Sequence, residues 1–156
     1  MSGSSILEKV SEEELLLLPH KDMVRFALFC AEQVKEGWKD IPEYVAAIET
    51  AERWLEGKAT EKECRVATSA AYYANAATRA ANAATRAAYA AYYAANAAYA
   101  TAHGAYANAT SSAAYAAYYA AYANGNPHLI EAQWEYYLEL LHFDDIAEKL
   151  LLGESV

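Results

Sequence analysis

The sequence predicts an all-α protein, a compact helical bundle built around long alanine-rich central helices. Residues 66–123 are about half alanine, and their polar and aromatic residues recur at steps of three and four, the spacing of one helix face. The apolar segments on either side are bounded at helical lengths by capping boxes, glycine and proline. No segment alternates polar and apolar residues as a strand does. The length of 156 residues is that of one domain.

The start of the chain is expected to be a flexible lead-in over residues 1–10, followed by a single all-α domain over residues 11–156. The lead-in has no basic region followed by a long apolar run, which a signal peptide would need. The two cysteines, Cys30 and Cys64, form no CxxC pair, so they indicate neither a zinc site nor a redox dithiol. A cytoplasmic location is the simplest expectation for such a chain.

Three helices are predicted before the alanine-rich segment. A capping box formed by Ser11 and Glu14 begins the first helix, which we expect to end at Leu18. Apolar residues at helical spacing predict the second helix over residues 22–36. A proline at its start and a glycine at its end predict the third helix over residues 42–57.

The alanine-rich segment is predicted to begin a long helix at a second capping box, formed by Thr60 and Glu63. Residues 59–103 contain neither glycine nor proline. A single helix of that length would project beyond a domain of this size, so we expect a bend or break within residues 93–104. A further helix is predicted to end at Ala123.

The C-terminal region is predicted to contain two more helices. The sequence Asn-Gly-Asn-Pro at residues 124–127 indicates a turn, and a helix over residues 128–142 follows. Asp144 or Asp145 is expected to cap a last short helix that ends at Leu152. We expect the large apolar residues of all these flanking helices to lie on the alanine faces of the central helices, because small side chains let helices approach closely.

The charge distribution favours some classes of partner over others. The net charge is −9 at pH 7, and the acids lie before residue 65 and after residue 127. An acidic protein binds nucleic acid poorly, because phosphates must be neutralised, and it suits a basic protein partner better. The same acids would also serve solubility alone. No membrane span is predicted, since alanine is weakly apolar and polar residues interrupt it every three or four positions.

A stripe of tyrosines on the alanine-rich helices is the first candidate for a binding surface. Tyrosine combines a large, rigid contact area with a hydroxyl, which is typical of protein recognition sites. The alternative is that two stripes face each other as an internal ladder of Tyr, Asn and Thr side chains. Burial distinguishes the two interpretations. The candidate binding residues are Tyr89, Tyr92, Tyr93, Tyr99, His103, Tyr106, Tyr115, Tyr118, Tyr119, Tyr122, Arg79 and Arg86.

The basic members of this set have simpler alternative roles. Arg79 and Arg86 lie one heptad apart with no acid near them in sequence. They would form ion pairs with the acidic flanking helices or contact an anionic group of a partner. His103 lies where the long helix is expected to break, and a structural role is the simpler expectation for it.

A metal site or an enzyme is the alternative class of function. One face of the predicted helix over residues 128–142 carries His128, Glu131, Glu135, Glu139 and His142. These residue types suit zinc or iron, but a solvated acidic face has the same pattern, and no other helix clearly supplies complementary ligands. The sequence contains no nucleophile motif and no phosphate-binding glycine loop, so it favours a binding protein without a cofactor over an enzyme. An ice-binding alanine helix is a third alternative, weakened because only Thr78 and Thr85 repeat cleanly.

Four segments carry a family resemblance through their order along the chain. They are VRFALFCAEQ at residues 24–33, IETAERWLEG at residues 48–57, Ala-Thr-Ala-His at residues 100–103, and a closing helix with Trp134. Over about residues 20–142, the chain resembles the immunity-protein-five-like family of bacterial immunity proteins, which have alanine-rich centres.

One departure from that family affects the histidines. The family often has another histidine shortly after Ala-Thr-Ala-His, where this chain has Ala107 and Asn108. The resemblance implies a small helical protein that protects a bacterium by binding a toxin. Combined with the charge, it leads us to expect a cytoplasmic immunity protein whose acidic flanks meet a basic toxin domain, with a homodimer as an open alternative.

Overall fold

The computed structural model describes the backbone of residues 8–77, 83–123 and 126–151, and the side chains of residues 8–74, 85–123 and 126–142. The described residues form helices and no strand, so the all-α prediction is confirmed. The helices are α1 (Glu12–Leu15), α2 (His20–Glu32), α3 (Pro42–Leu55), α4 (Glu61–Ala77), α5 (Ala83–Ala102), α6 (Tyr106–Ala123) and α7 (His128–Leu151).

Both predicted capping boxes are present, at the starts of α1 and α4. The Glu14 amide donates to the Ser11 hydroxyl and the Ser11 amide donates to the Glu14 carboxylate, both at 3.2 Å. Thr60 and Glu63 make the same reciprocal pair, both bonds being 3.1 Å. Each pair satisfies amides that the first helical turn leaves free. Helix α1 ends earlier than predicted, at Leu15, and a turn leads from it to the following proline.

Helix α2 runs from His20 to Glu32, so it both begins and ends earlier than the predicted range of residues 22–36. A short 3₁₀ helix, Lys35–Gly37, follows α2. The buried Trp38 ring then donates its indole N–H to the Ala31 carbonyl at 2.9 Å, within the last turn of α2. Helix α3 begins at its predicted proline, and Gly57 after its end has a φ of 75°, which favours glycine.

Helices α4 and α5 are two antiparallel helices, so the prediction of one helix through this region was wrong. Glu61 at the start of α4 bonds to His103 at the end of α5, and Tyr72 later in α4 lies beside Tyr92. Residues 78–82, between the two helices, lie outside the described residues.

The break predicted within residues 93–104 is confirmed at the end of that range. Helix α5 ends at Ala102, and Gly104 has a φ of 80° before α6 begins. The Ala105 amide donates to the Ala100 carbonyl at 2.8 Å, which closes the end of α5. The turn at Gly104 makes α5 and α6 an antiparallel helical hairpin.

The core is built as expected, with large side chains packed against alanine faces. Ala94 of α5 and Ala113 of α6 have no exposed area. Phe26 of α2 and Tyr44 and Ile48 of α3 belong to the same buried cluster. Helix α2 packs on both α5 and α6, and α3 packs on α4 and α5. The small interface residues therefore fix the spacing of the central helices while the flanking helices supply most of the buried apolar volume.

The N-terminal segment is held against α7. The Trp134 indole donates to the Glu8 carbonyl at 2.6 Å, and the Tyr137 hydroxyl donates to the Glu14 carbonyl at 2.7 Å. Val10 has no exposed area. At the end of the segment expected to be a flexible lead-in, the Val10 side chain is therefore buried and the Glu8 carbonyl is hydrogen-bonded, while the Glu8 side chain is exposed.

Helix α7 is one continuous helix. The prediction of a separate last helix capped by Asp144 or Asp145 was wrong, because α7 runs from His128 to Leu151 without interruption. No glycine or proline occurs within it to end it earlier. Across the described residues, none of the helices is both long and apolar enough to cross a membrane.

A buried amide that the sequence did not predict joins α7 to α2 and α6. The side-chain NH₂ of Gln133 donates to the Gln33 side chain at 3.0 Å and to the Ala117 carbonyl at 3.1 Å. The side-chain NH₂ of Gln33 donates in turn to the Leu129 carbonyl at 3.0 Å. Gln133 has no exposed area, and these bonds replace the hydration of its NH₂ group, whereas its side-chain carbonyl oxygen has no hydrogen-bond partner among the described residues.

Candidate functional site

The tyrosine stripes of α5 and α6 face each other across the hairpin. The ring centroids of Tyr89 and Tyr119 are 4.9 Å apart, and those of Tyr93 and Tyr115 are 5.0 Å apart. In each pair the two residues are equidistant in sequence from Gly104. One antiparallel register, set by the turn, therefore aligns both pairs.

Polar contacts follow the same register. The Asn96 amide donates to the Ser112 hydroxyl at 2.7 Å. The Arg86 guanidinium donates to the Tyr122 carbonyl at 3.1 Å, near the C-terminal end of α6, where a cation also interacts favourably with the helix dipole. Arg86 forms no ion pair with a described residue of the acidic flanking helices. Arg79 lies outside the described residues.

The facing stripes form an open array and not an enclosed ladder. Tyr93 and Tyr119 are half-buried between the two helices, whereas Tyr115, Tyr118 and Tyr122 expose 48%, 40% and 47% of their area. The array continues onto α4 through a contact of Tyr72 with Tyr92. We call this array the tyrosine surface. It consists of Tyr72, Tyr73, Tyr89, Tyr92, Tyr93, Tyr115, Tyr118, Tyr119 and Tyr122, each in ring contact with at least one other member.

Two members of the tyrosine surface were missed as site residues by the sequence analysis. Tyr72 and Tyr73 of α4 expose 52% and 72% of their area, more than the other members. They belong to the same alanine-rich pattern, but their place beside α5 depends on the antiparallel packing of α4. Tyr106, by contrast, was among the predicted binding residues but does not belong to the tyrosine surface. Its ring stacks on His20 of α2, with ring centroids 3.6 Å apart.

The hydroxyls at the centre of the tyrosine surface stay neutral at physiological pH. Burial raises the pKa of Tyr92, Tyr93 and Tyr119, and the neighbouring tyrosines raise it further. These groups therefore act as hydrogen-bond donors and acceptors without charge.

Two grooves meet at Asn96 and Tyr99 of α5. The α5–α6 groove has a volume of about 280 Å³, and Tyr93, His103, Ser111 and Tyr115 are among its lining residues. The α4–α5 groove has a volume of about 230 Å³ and is lined on α4 by Arg65, Thr68, Ser69, Tyr72 and Tyr73. Asn96 and Tyr99 line both grooves. The grooves and the tyrosine surface thus form one continuous region across α4, α5 and α6.

His103 has a structural contact in this region. Its Nδ1 lies 2.5 Å from a carboxylate oxygen of Glu61, and its ring stacks on Tyr99 with centroids 5.9 Å apart. This bond joins the first turn of α4 to the end of α5. The structural role expected for His103 is consistent with that contact, although its side chain is also exposed beside the α5–α6 groove.

The described acidic residues do not line the two grooves, and Glu61 is bonded to His103 at the edge of the α5–α6 groove. Neither groove has a carboxylate among its lining residues. Partial burial raises the pKa of Glu52 on α3, and the nearby charges of Glu32 and Glu49 raise it further. Glu32 at the end of α2 and Glu49 and Glu52 of α3 therefore form an acidic cluster that lies outside the two grooves.

The candidate metal face does not bring three ligands together. His128 Nδ1 lies 3.0 Å from Glu131, and both side chains are exposed. Glu135, Glu139 and His142 are exposed as well. Among the side chains that the structure describes, no group of three or more His, Cys, Asp and Glu residues is placed to hold a metal ion.

The two cysteines are buried thiols. Burial raises the pKa of Cys30, and burial with the nearby Glu63 charge raises the pKa of Cys64 to about 11. Both side chains therefore stay protonated at neutral pH, and a protonated thiol is unreactive because the thiolate is the nucleophile. They act as small core residues.

Comparison with known proteins gives one family. The family model described as "Imm-5 like putative immunity protein" matches residues 13–140. The chain shows no significant similarity to a curated protein or to a solved structure. The matched region begins in α1, contains the whole tyrosine surface and ends within α7. Because the match covers most of the sequence and agrees with the resemblance seen in its motifs, the chain belongs to this Imm-5 like family of immunity proteins.

Proposed function

We propose that this chain is a cytoplasmic immunity protein that binds and neutralises a cognate bacterial toxin domain through the tyrosine surface. Membership of the family supports a protein partner. The observation that carries the proposal is the continuous ring-to-ring array on α4, α5 and α6, half-buried at its centre and exposed at its edges. An exposed aromatic array of this kind is what protein interfaces use as anchors.

The rings of the array are held by contacts within the chain itself. Alanine packing fixes the backbones of α5 and α6, and contacts such as Tyr93 with Tyr119 fix the rings. Binding therefore costs less side-chain conformational entropy than it would for isolated exposed rings. Hydroxyls, together with the Asn96 and Asn108 amides nearby, add neutral hydrogen-bonding groups that suit a specific contact.

The net charge assigns a second role to the acidic flanks. A net charge of −9 would attract a basic toxin domain and raise the association rate, while the tyrosine surface supplies the close contact. This division predicts that added salt slows association more than it speeds dissociation. The function is then one of binding and blocking, with no chemical step on the partner.

The test begins with capture of partners from the native bacterium at low salt. Each captured protein is then produced in a surrogate bacterium with and without this chain. We expect one captured protein to arrest growth and this chain to restore it. A set of captured proteins in which none is toxic, or none is neutralised, would overturn the proposal.

The contact surface is tested with the double variant Tyr115→Ala, Tyr119→Ala. We expect helical circular dichroism to be unchanged and protection to be lost. A second variant, Tyr118→Ala with Tyr122→Ala, removes two more exposed rings and covers the case in which the first fails to fold. The matched control is Leu138→Ala, which removes an exposed apolar side chain from α7. Full protection by both folded tyrosine variants would exclude the tyrosine surface.

A further inference from the structure

The α4–α5 groove contains an arginine without an acidic partner. Arg65 is exposed and forms no ion pair with a described residue, whereas Arg25 pairs with Asp22 and Arg53 pairs with Glu63. The chain has 21 acidic residues against 12 Lys and Arg, so acids are abundant for pairing. The guanidinium of Arg65 is therefore available to an anionic group from outside the chain.

The acids nearest to Arg65 along α4 are already engaged. Glu61 bonds to His103, and Glu63 accepts bonds from Thr60 and lies 3.7 Å from Arg53. No carboxylate lines the groove itself. Arg65 is thus the one charged residue among the described residues that line the groove, in a protein of strongly negative net charge.

The rest of the groove is suited to a short extended segment. Ser69, one helical turn after Arg65, adds an exposed hydroxyl on the same face of α4. Tyr72 of α4 and Tyr92 of α5 both line the groove and contact each other, with ring centroids 5.8 Å apart. If an acidic residue of a bound segment contacted Arg65, the neighbouring residues of that segment would lie against these rings. Aromatic faces bind apolar and proline side chains well.

We propose that the α4–α5 groove receives an acidic side chain from an extended segment of the protein partner, with its carboxylate held by Arg65. The inference rests on the proposed function, since the partner is the toxin. Guanidinium and carboxylate match in planar, two-bond geometry, which gives both affinity and orientation. The arginine also rejects a partner that presents a lysine at this position, so it contributes specificity that net charge alone would not.

The test selects binders from a displayed library of random peptides on the full-length protein. Net charge alone would enrich basic peptides, whereas the groove predicts a consensus containing Asp or Glu. The strongest selected peptide is then synthesised and titrated against the protein. We expect Arg65→Gln to weaken binding about 10-fold or more, the range for a lost charge-assisted bond, and replacement of the peptide's acid by its amide to weaken it equally.

Two control variants make the result specific. Arg25→Gln removes another surface arginine and should leave peptide binding unchanged. Arg65→Lys keeps the charge but loses the two-bond geometry, so its affinity should lie between wild type and Arg65→Gln. A basic or neutral consensus, no enriched peptide at all, or peptide affinity that is the same for Arg65→Gln and wild type would overturn the inference.

This outcome is separable from that of the proposed function. If acidic peptides bind through Arg65 but no captured protein is a neutralised toxin, the groove site stands and the immunity role fails. If a toxin is neutralised equally well by wild type and Arg65→Gln, the immunity role stands and the groove inference fails.

Discussion

Asn96 of α5 donates a 2.7 Å hydrogen bond to the hydroxyl of Ser112 of α6, and the two residues are equidistant in sequence from Gly104. The bond lies between the tyrosine pairs and the turn, and Asn96 also lines both grooves. The bond therefore helps to fix the register of the hairpin at the point where the two grooves meet.

The first prediction concerns this bond. A double-mutant cycle of Asn96→Ala and Ser112→Ala should give a coupling of about 0.5–1.5 kcal/mol in the free energy of unfolding, the net value of one hydrogen bond. Urea denaturation of the four proteins measures it. The same cycle on Asn108 and Ser111, which line the α5–α6 groove without a bond between them, should give a coupling near zero. Equal couplings in the two cycles would show that the bond between Asn96 and Ser112 does not contribute to the stability of the hairpin.

The second prediction concerns the alanine interface. Ala113→Leu places a larger side chain where α6 has no exposed area and should lower the free energy of unfolding by about 1–3 kcal/mol. Ala107→Leu makes the same change on the exposed face of α6 and should stay within about 0.5 kcal/mol of wild type. Urea midpoints compare the two. If both variants were equally stable, close helix approach at Ala113 would not be a requirement of the fold.

The third prediction concerns alkaline pH. Burial raises the pKa of Tyr92, Tyr93 and Tyr119 in the folded protein, while an unfolded chain ionises tyrosine at about pH 10. Their stabilising contribution is fully present below that pH. It is lost as the pH rises through the folded-state pKa values, because the unfolded chain releases its protons first.

Urea unfolding from neutral pH to above about pH 10 measures this loss, and tyrosinate absorbance reports the ionisation. We expect the free energy of unfolding to fall across that range, and Tyr93→Phe to reduce the slope because it removes one of the shifted groups. Tyr73→Phe is the control, since Tyr73 is 72% exposed. A stability that is constant up to the end of the range would contradict the shifts.

The features that sequence reasoning predicted correctly depend on short-range chemistry. Thr60 and Glu63 are three residues apart, so their capping box needs only the first turn of α4 to form. Gly104 marks the turn after α5 because its φ of 80° is one that glycine adopts readily and other residues rarely do. The alanine faces follow from helical spacing, and Ala113 lies inward as that spacing requires.

The features that it missed depend on contacts between distant residues. No glycine or proline in the alanine-rich segment before Gly104 marks the end of α4. The place of Tyr72 in the tyrosine surface depends on its contact with Tyr92 of the next helix. The half-buried state of the tyrosines depends on how the hairpin packs, which helical spacing does not fix. Arg65 can be identified as a candidate binding residue only from the groove, which residues of both α4 and α5 line. The buried amide of Gln133 bonds to Gln33, which is distant from it in sequence.

The hairpin separates the residues that pack it from the residues that face outward. Ala94 of α5 and Ala113 of α6 are buried in the core cluster, whereas Tyr118 and Tyr122 project from α6 into solvent. Exchange of an outward ring leaves the helix spacing unchanged, so one scaffold can acquire a new partner without a new core. On the proposed function, a change of toxin would demand new outward contacts and no new core, so we expect relatives of this chain to diversify at the outward tyrosine positions while the inward positions stay small.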